Sequence, residues 1–245
     1  LRDARSGRYR SYRHDAAVPD SLSGDYITAL AAGQDARLWV GTRSNGLNRC
    51  RIEPWSCERF DGRNASGPNL RHYHVTALRR DRDGALWVAT DGGGLHRAEE
   101  DADGRVAGFE HWGVDRGLLA DGIMAVEEDD DGSLWLSTRH GLSRLDPTTG
   151  RVVNHVVQSG LPVSQFNNGA SSADAGFVHF GSVGGLVSIP KGTPLRVRSP
   201  APVRITGIER LVRGAGQRLA PATLLGGFEK KIDDVLALEF AVIDF

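Results

Sequence analysis

His72 and His74 stand two residues apart, so on a strand both imidazoles would leave from the same side. Two nitrogens on one side are the start of a metal site. No Cys, Asp or further His lies at a matching spacing nearby, so no metal is expected there. Asp81-Arg-Asp-Gly84 and Asp129-Asp-Asp-Gly132 offer carboxylates in the manner of a calcium loop. Such a loop closes with Glu at its twelfth position, and counting from Asp129 that position is His140. Both segments read as tight turns. Gly92-Gly-Gly94 could be taken for a phosphate loop, but a strand follows it, not a helix N-terminus. There is no Gly-x-Ser-x-Gly elbow, and no carboxylate pair can be assembled. No catalytic residue and no cofactor are therefore expected. Cys50 and Cys57 are the only cysteines, flanking Arg51-Ile-Glu-Pro-Trp-Ser56. Placed across two strands they could meet disulfide geometry, and the alternative is two free thiols.

The elements that carry these residues repeat. Asp35-Ala-Arg-Leu-Trp-Val-Gly-Thr42, Asp83-Gly-Ala-Leu-Trp-Val-Ala-Thr90 and Asp131-Gly-Ser-Leu-Trp-Leu-Ser-Thr138 align, with Trp39, Trp87 and Trp135 each 48 residues apart. Gly-Leu follows each segment, at 46, 94 and 141. An apolar stretch precedes each, as in Val75-Thr-Ala-Leu78. A weaker copy runs over Gly176-Phe-Val-His-Phe-Gly-Ser182, with His179 at the Trp position. A period of about 48 with several short strands per unit is the pattern of a β-propeller blade of four antiparallel strands. In the second unit the strands are expected at 75–79, 85–90, 94–98 and 106–112. The second strand is apolar on both faces, so it lies between neighbouring sheets with its Trp in the wedge. Gly41, Ala89, Ser137 and Gly181 are expected where backbones approach closely.

The chain has 245 residues and 31 glycines, with 30 basic against 31 acidic side chains. Near-neutrality argues against nonspecific nucleic-acid binding. No apolar run reaches the ~18 residues of a membrane span. The chain begins without Met and stops inside an apolar segment, so it is expected to be a piece of a longer protein. Residues 1–14 read as a lone outer strand. Residues 1–195 are expected to hold that strand, three full blades and most of a fourth. Pro194, Pro200 and Pro202 mark a linker, and 196–245 then read as the linker and first strands of a second all-β domain.

These units resemble the two-component regulator propeller repeat, through the Asp-x-x-Gly-x-Leu-Trp-x-Gly-Thr-x-x-x-Gly-Leu core. Ser164-Gln-Phe-Asn-Asn168, Phe180-Gly181 and Ile189-Pro190 look like that family's last blade. Leu236 to Phe245 resembles the opening of the triple-tyrosine (Y_Y_Y) domain that follows such propellers. The chain departs from the pattern at Ala36 and His179. The resemblance implies the periplasmic, ligand-sensing part of an inner-membrane receptor with a histidine kinase or diguanylate cyclase output. It implies a truncated immunoglobulin-like β-sandwich in 196–245 and a homodimer in the parent receptor. It also implies a small-molecule ligand, in several relatives a carbohydrate or oligosaccharide, and contact with the membrane only through segments outside this chain.

In a propeller the loops entering each blade and the turns between its second and third strands share one face. That face is expected to bind the ligand through Tyr26, Arg43, Asn45, His72, Tyr73, His74, Asp91, Asp121, Arg139, His140, Gln165, Phe166 and Asn167. Hydrogen-bonding side chains mixed with flat aromatics suit a polar or sugar-like ligand. The Asp-Gly turns would lie on the opposite face. Two other functions fit the same residues: a propeller lyase using His72, His74 or His140 with an acid, and a scaffold for protein partners.

Overall fold

In the computed structural model the chain divides into two compact units, Leu1–Leu195 and Arg196–Phe245. The structure describes residues 9–34, 36–61, 67–101 and 103–193, and the backbone of 203–212, 215–218 and 235–242. The first unit is a propeller arrangement of four antiparallel sheets. Blade one holds β1 (Ile27–Ala32), β2 (Arg37–Thr42), β3 (Leu47–Arg51) and β4 (Ser56–Phe60), hydrogen-bonded in chain order. Blade two holds β5 (Val75–Arg80), β6 (Leu86–Thr90), β7 (Leu95–Glu100) and β8 (Val106–Trp112). Blade three holds β9 (Ile123–Glu128), β10 (Leu134–Thr138), β11 (Leu142–Leu145) and β12 (Val152–His155). Blade four has three strands, β13 (Phe166–Ala173), β14 (Phe177–Ser182) and β15 (Gly185–Pro190). The outer strand of blade two falls where the sequence places it. β6 starts one residue later than expected, and β5 and β7 run further. Residues 10–14 form no strand, against expectation, and 1–8 lie outside the described residues. Tyr12 instead stacks on Trp55 of blade one, ring centroids 3.7 Å apart.

Among the described residues the core has three clusters that lie between successive blades and a fourth on blade one, where Leu22, Val40, Cys50 and Cys57 meet. Trp39 packs with Leu47, Phe60, Val75, Leu86 and Val88; Trp87 with Trp112, Ile123, Leu134 and Leu136; Trp135 with Phe166, Val178 and Phe180. Each tryptophan faces the aromatic ring that ends its blade's outer strand: Phe60 at 6.0 Å, Trp112 at 5.1 Å and His155 at 5.1 Å. An arginine also lies over each ring: Arg49, Arg97 and Arg144, at 5.6, 5.7 and 5.1 Å. Asp81 and Asp129 do more than turn the chain. Asp81 Oδ2 accepts from Trp87 Nε1 at 2.7 Å, and Asp129 Oδ2 from Trp135 Nε1 at 3.0 Å. The buried indole N–H thus keeps a partner. Gly33 stands at that position in blade one. Gly41 has no room for a side chain, because a Cβ there would meet Val75 of the next blade. Gly84 and Gly132 take positive φ in the turns, and Ala36 does the same in blade one at 57°.

A polar clasp recurs at the start of each full blade. Ser23 N–H donates to Asn48 Oδ1, Arg71 N–H to His96 Nε2, and Leu119 N–H to Ser143 Oγ, at 2.8, 3.1 and 3.1 Å. The donors are spaced by 48, and each acceptor is buried on the third strand. Accepting at Nε2 places the His96 ring proton on Nδ1. Burial, then the neighbouring His111, push the His96 pKa down to about 3, against the pull of the Val88 carbonyl.

At the outer edge of blade one, Cys50 and Cys57 face each other across β3 and β4 and are bonded. In the second unit β16 (Val203–Val212) lies between β17 (Ala215–Arg218) and β18 (Val235–Val242), both antiparallel to it. Residues 194, 200 and 202 of the expected linker, and 243–245, lie outside the described residues.

Candidate functional site

The inner strands follow one another around a common centre, β1 beside β5, β5 beside β9 and β9 beside β13. Thr28 Oγ donates to the Val75 carbonyl and Thr76 Oγ to the Ile123 carbonyl, both at 2.6 Å, so β1 is tied to β5 and β5 to β9. Where β1, β5 and β13 converge there is a cavity of about 410 Å³ lined by Tyr26, Ile27, Thr28, Arg43, His74, Thr76, Asn168 and Gly169. That volume is in the range of small-ligand sites.

The turns after the second strands deliver the charges. The Thr or Ser ending that strand closes its own turn in every blade: Thr42 onto Gly46, Thr90 onto Gly94, Thr138 onto Gly141 and Ser182 onto Gly185, at 2.7–2.9 Å. The next residue is therefore held at the same height around the centre. In the first three blades it is Arg43, Asp91 and Arg139, again 48 apart. Asp91 also bridges to Gly122 at the entrance of blade three. Arg139 Nη2 donates to Asp91 Oδ2 at 3.2 Å, and His74 Nδ1 lies 3.6 Å from the same oxygen. The Arg43 guanidinium lies over the Tyr26 ring, 5.2 Å from its centroid. Tyr26 is 64% exposed and forms one wall. His72 Nδ1 accepts from the backbone N–H of His74 at 3.3 Å.

Partial burial lowers the His74 pKa, and the charges of Arg43, His72 and Arg139 lower it further against the pull of Asp91. His74 is therefore a neutral imidazole at pH 7, able to donate and accept.

Of the residues expected from sequence, Tyr26, Arg43 and His74 line the cavity. Asp91, Arg139 and His72 adjoin it through the contacts just described. The others stand elsewhere. Phe166 is buried in the wedge against Phe180 at 6.1 Å, because the chain is already in β13 there. Asn167 is exposed and outside the lining. Asn45 packs beside Gly24, and Asp121 accepts from Val114 N–H at 2.9 Å. Tyr73, His140 and Gln165 are exposed and outside the lining. Missed by the sequence reading are the strand residues Ile27, Thr28 and Thr76 and the Gly169 backbone. The paired Thr28 and Thr76, 48 apart, were the available signal. Among the described residues no three metal-type side chains converge.

Residues 69–92 match the two-component regulator propeller family. No curated protein matches the sequence. The structure is similar to the extracellular domain of a protein assigned as the hybrid two-component system BT3049 of B. thetaiotaomicron, at 22% identity and a TM-score of 0.66, over 91% of this chain and 28% of that one. The matching region is thus just over a quarter of that structure. It is also similar to the extracellular domain of BT4673 from the same organism, at 18% identity and a TM-score of 0.42, over 82% of this chain and 35% of that one. Virginiamycin B lyase from Staphylococcus aureus matches at 14% identity and a TM-score of 0.47, over 72% of this chain and 59% of that one. At 22% identity the likeness to the BT3049 domain is one of fold.

Proposed function

We propose that this chain is the ligand-sensing part of a two-component or diguanylate cyclase receptor, working on the periplasmic side of the membrane. The cavity between β1, β5 and β13 carries this reading, because three blades supply its walls. A ligand bound there touches residues far apart in sequence, so its binding energy bears on how the blades sit against each other. Residues 196–245 belong to a Y_Y_Y-type sandwich that relays the change to a dimer partner and an output kinase or cyclase. A ligand shifts such an equilibrium only by its differential affinity for the two states. No helix among the described residues is long and apolar enough to cross a membrane. The family match over 69–92 and the fold shared with extracellular receptor domains support the assignment.

A thermal-shift screen against mono- and oligosaccharides and other small nutrients tests it, with calorimetry on the hits. A ligand at 100 times its Kd adds ~2.7 kcal/mol to stability. The expected result is a hit whose affinity falls about tenfold or more in His74→Ala and Tyr26→Ala, with the ligand recovered unchanged after incubation. Turnover of the ligand would favour a propeller enzyme. Hits indifferent to both substitutions would move the site elsewhere.

A further inference from the structure

Among the described residues that line the cavity, Arg43 is the only permanently charged side chain and none is a carboxylate. Among the described residues the Arg43 guanidinium has no hydrogen-bond or ion-pair partner, and its central carbon lies over the Tyr26 ring. A guanidinium without a hydrogen-bonding partner keeps its N–H groups for an acceptor, and their fork matches a carboxylate in two parallel bonds. Arg139, at the same repeat position two blades on, is already engaged by Asp91. The three charges at this level sum to one excess positive charge, and that excess sits on Arg43. Other donors are scarce, because the hydroxyls of Thr28 and Thr76 are spent on the Val75 and Ile123 carbonyls. Asn168 and the neutral His74 remain for hydroxyl groups.

Resting on the sensing reading above, we propose that the ligand is a sugar acid, whose single carboxylate Arg43 receives while Tyr26 flanks the ring. The cavity, about 410 Å³, holds a body of one or two sugar units. A cationic ligand is disfavoured by Arg43, and a neutral sugar leaves the guanidinium without an anion. His74 couples the site to pH. It faces Arg43, His72 and Arg139 as cations or potential cations and Asp91 as the one anion. A ligand carboxylate on Arg43 adds a second anion beside it and raises its proton affinity, so binding is coupled to proton uptake and tightens as pH falls.

Calorimetry on residues 1–245 tests this with D-glucuronate and D-galacturonate against D-glucose and D-galactose. At least one uronate is expected to bind about tenfold or more tightly than its neutral parent, more weakly in high salt and more tightly at pH 5.5 than at 7.5. Arg43→Gln, at an exposed position, is expected to keep its melting temperature and lose the preference. His74→Asn should flatten the pH dependence. Neutral sugars binding as well as their acids, or a preference that survives Arg43→Gln, would overturn the charge assignment and leave the sensing site standing. Binding of none of the four would overturn the sugar-acid assignment, and the wider screen would then judge the sensing reading separately.

Discussion

The boundary between blades two and three is sealed, and the one between blades three and four is not. At the first, all five residues of β6 and all six of β9 are buried, and Trp87 lies against Trp112. Arg79 pairs with Glu127 at 2.8 Å and Arg82 with Glu128 at 2.7 Å across it. At the second, His155 takes the place of the outer-strand aromatic beside Trp135. A groove of about 270 Å³ opens there, bordered by Trp135, His155, Leu161, Pro162, Val187 and Ile189. Most of β13 is exposed or half-buried, and Leu186 of β15 is 70% exposed. The same repeat written twice therefore gives a tight interface where both partners carry large rings and outer strands. It gives a looser one where a histidine substitutes and blade four shows three strands among the described residues.

That contrast can be broken first at the repeat's own tryptophan. Trp87→Ala should cost about 3–5 kcal/mol in urea unfolding, since it empties the wedge and takes the indole donor from Asp81 Oδ2. His179→Ala, at the matching position of blade four, should cost less than about 1 kcal/mol, because its side chain has no facing blade among the described residues. Equal losses would mean that blade position does not govern the value of this site.

Glu127 gives the next largest effect. It accepts from Arg79 of blade two and from Ser171 Oγ of blade four at 2.9 Å, so one buried carboxylate ties three blades. Glu127→Gln should cost about 1–3 kcal/mol. Glu110→Gln, which removes only the exposed pair with Arg116, should change stability by less than about 0.5 kcal/mol. If the two cost the same, the tie across the blades contributes nothing.

His96 makes the clasp of blade two sensitive to pH. Its imidazole takes a proton near the ordinary 6.5 when unfolded and only at about 3 when folded. Between those values the unfolded state binds more protons. The contribution is complete above pH 6.5 and is lost progressively as pH falls towards 3, by at most ~1.4 kcal/mol per pH unit. His96→Asn, the residue blade one uses, should remove most of that slope in urea titrations between pH 7 and 5. An unchanged slope would place the proton uptake elsewhere. Smallest of all, His155→Phe should raise stability by about 0.5–1 kcal/mol by filling the groove with the ring type of blade one. Burial, then the Arg144 charge, keep the His155 pKa low, so this gain should grow below pH 6. A loss of stability would show that the imidazole is wanted there.

Much of the fold was legible because a 48-residue period states the same local problem three times. Apolar pairs around Trp, Asp-Gly turns and the Gly-Leu step each name a strand or a turn. The candidate site was legible in part. Arg43, Asp91 and Arg139 were readable as one repeat position, since they follow the turn-closing Thr. Phe166 is buried where the sequence alone points to the face, because loop and strand join without punctuation there and only the packing shows which side its ring takes. The clasp was not readable at all. Asn48, His96 and Ser143 share no chemistry beyond an acceptor atom, and nothing in the letters says they meet the same incoming N–H.

The sequence by itself determined the blades, because strand periodicity and turn chemistry are local and survive in any surroundings. It also determined the charges at the turns, through spacing alone. The tertiary structure decided which of those residues share a cavity. Tyr26, Arg43, His74 and Asn168 are brought together only by the curvature of successive sheets. That curvature comes from how large rings fill the wedges between blades. Packing of this kind depends on both faces at once, which no single repeat contains.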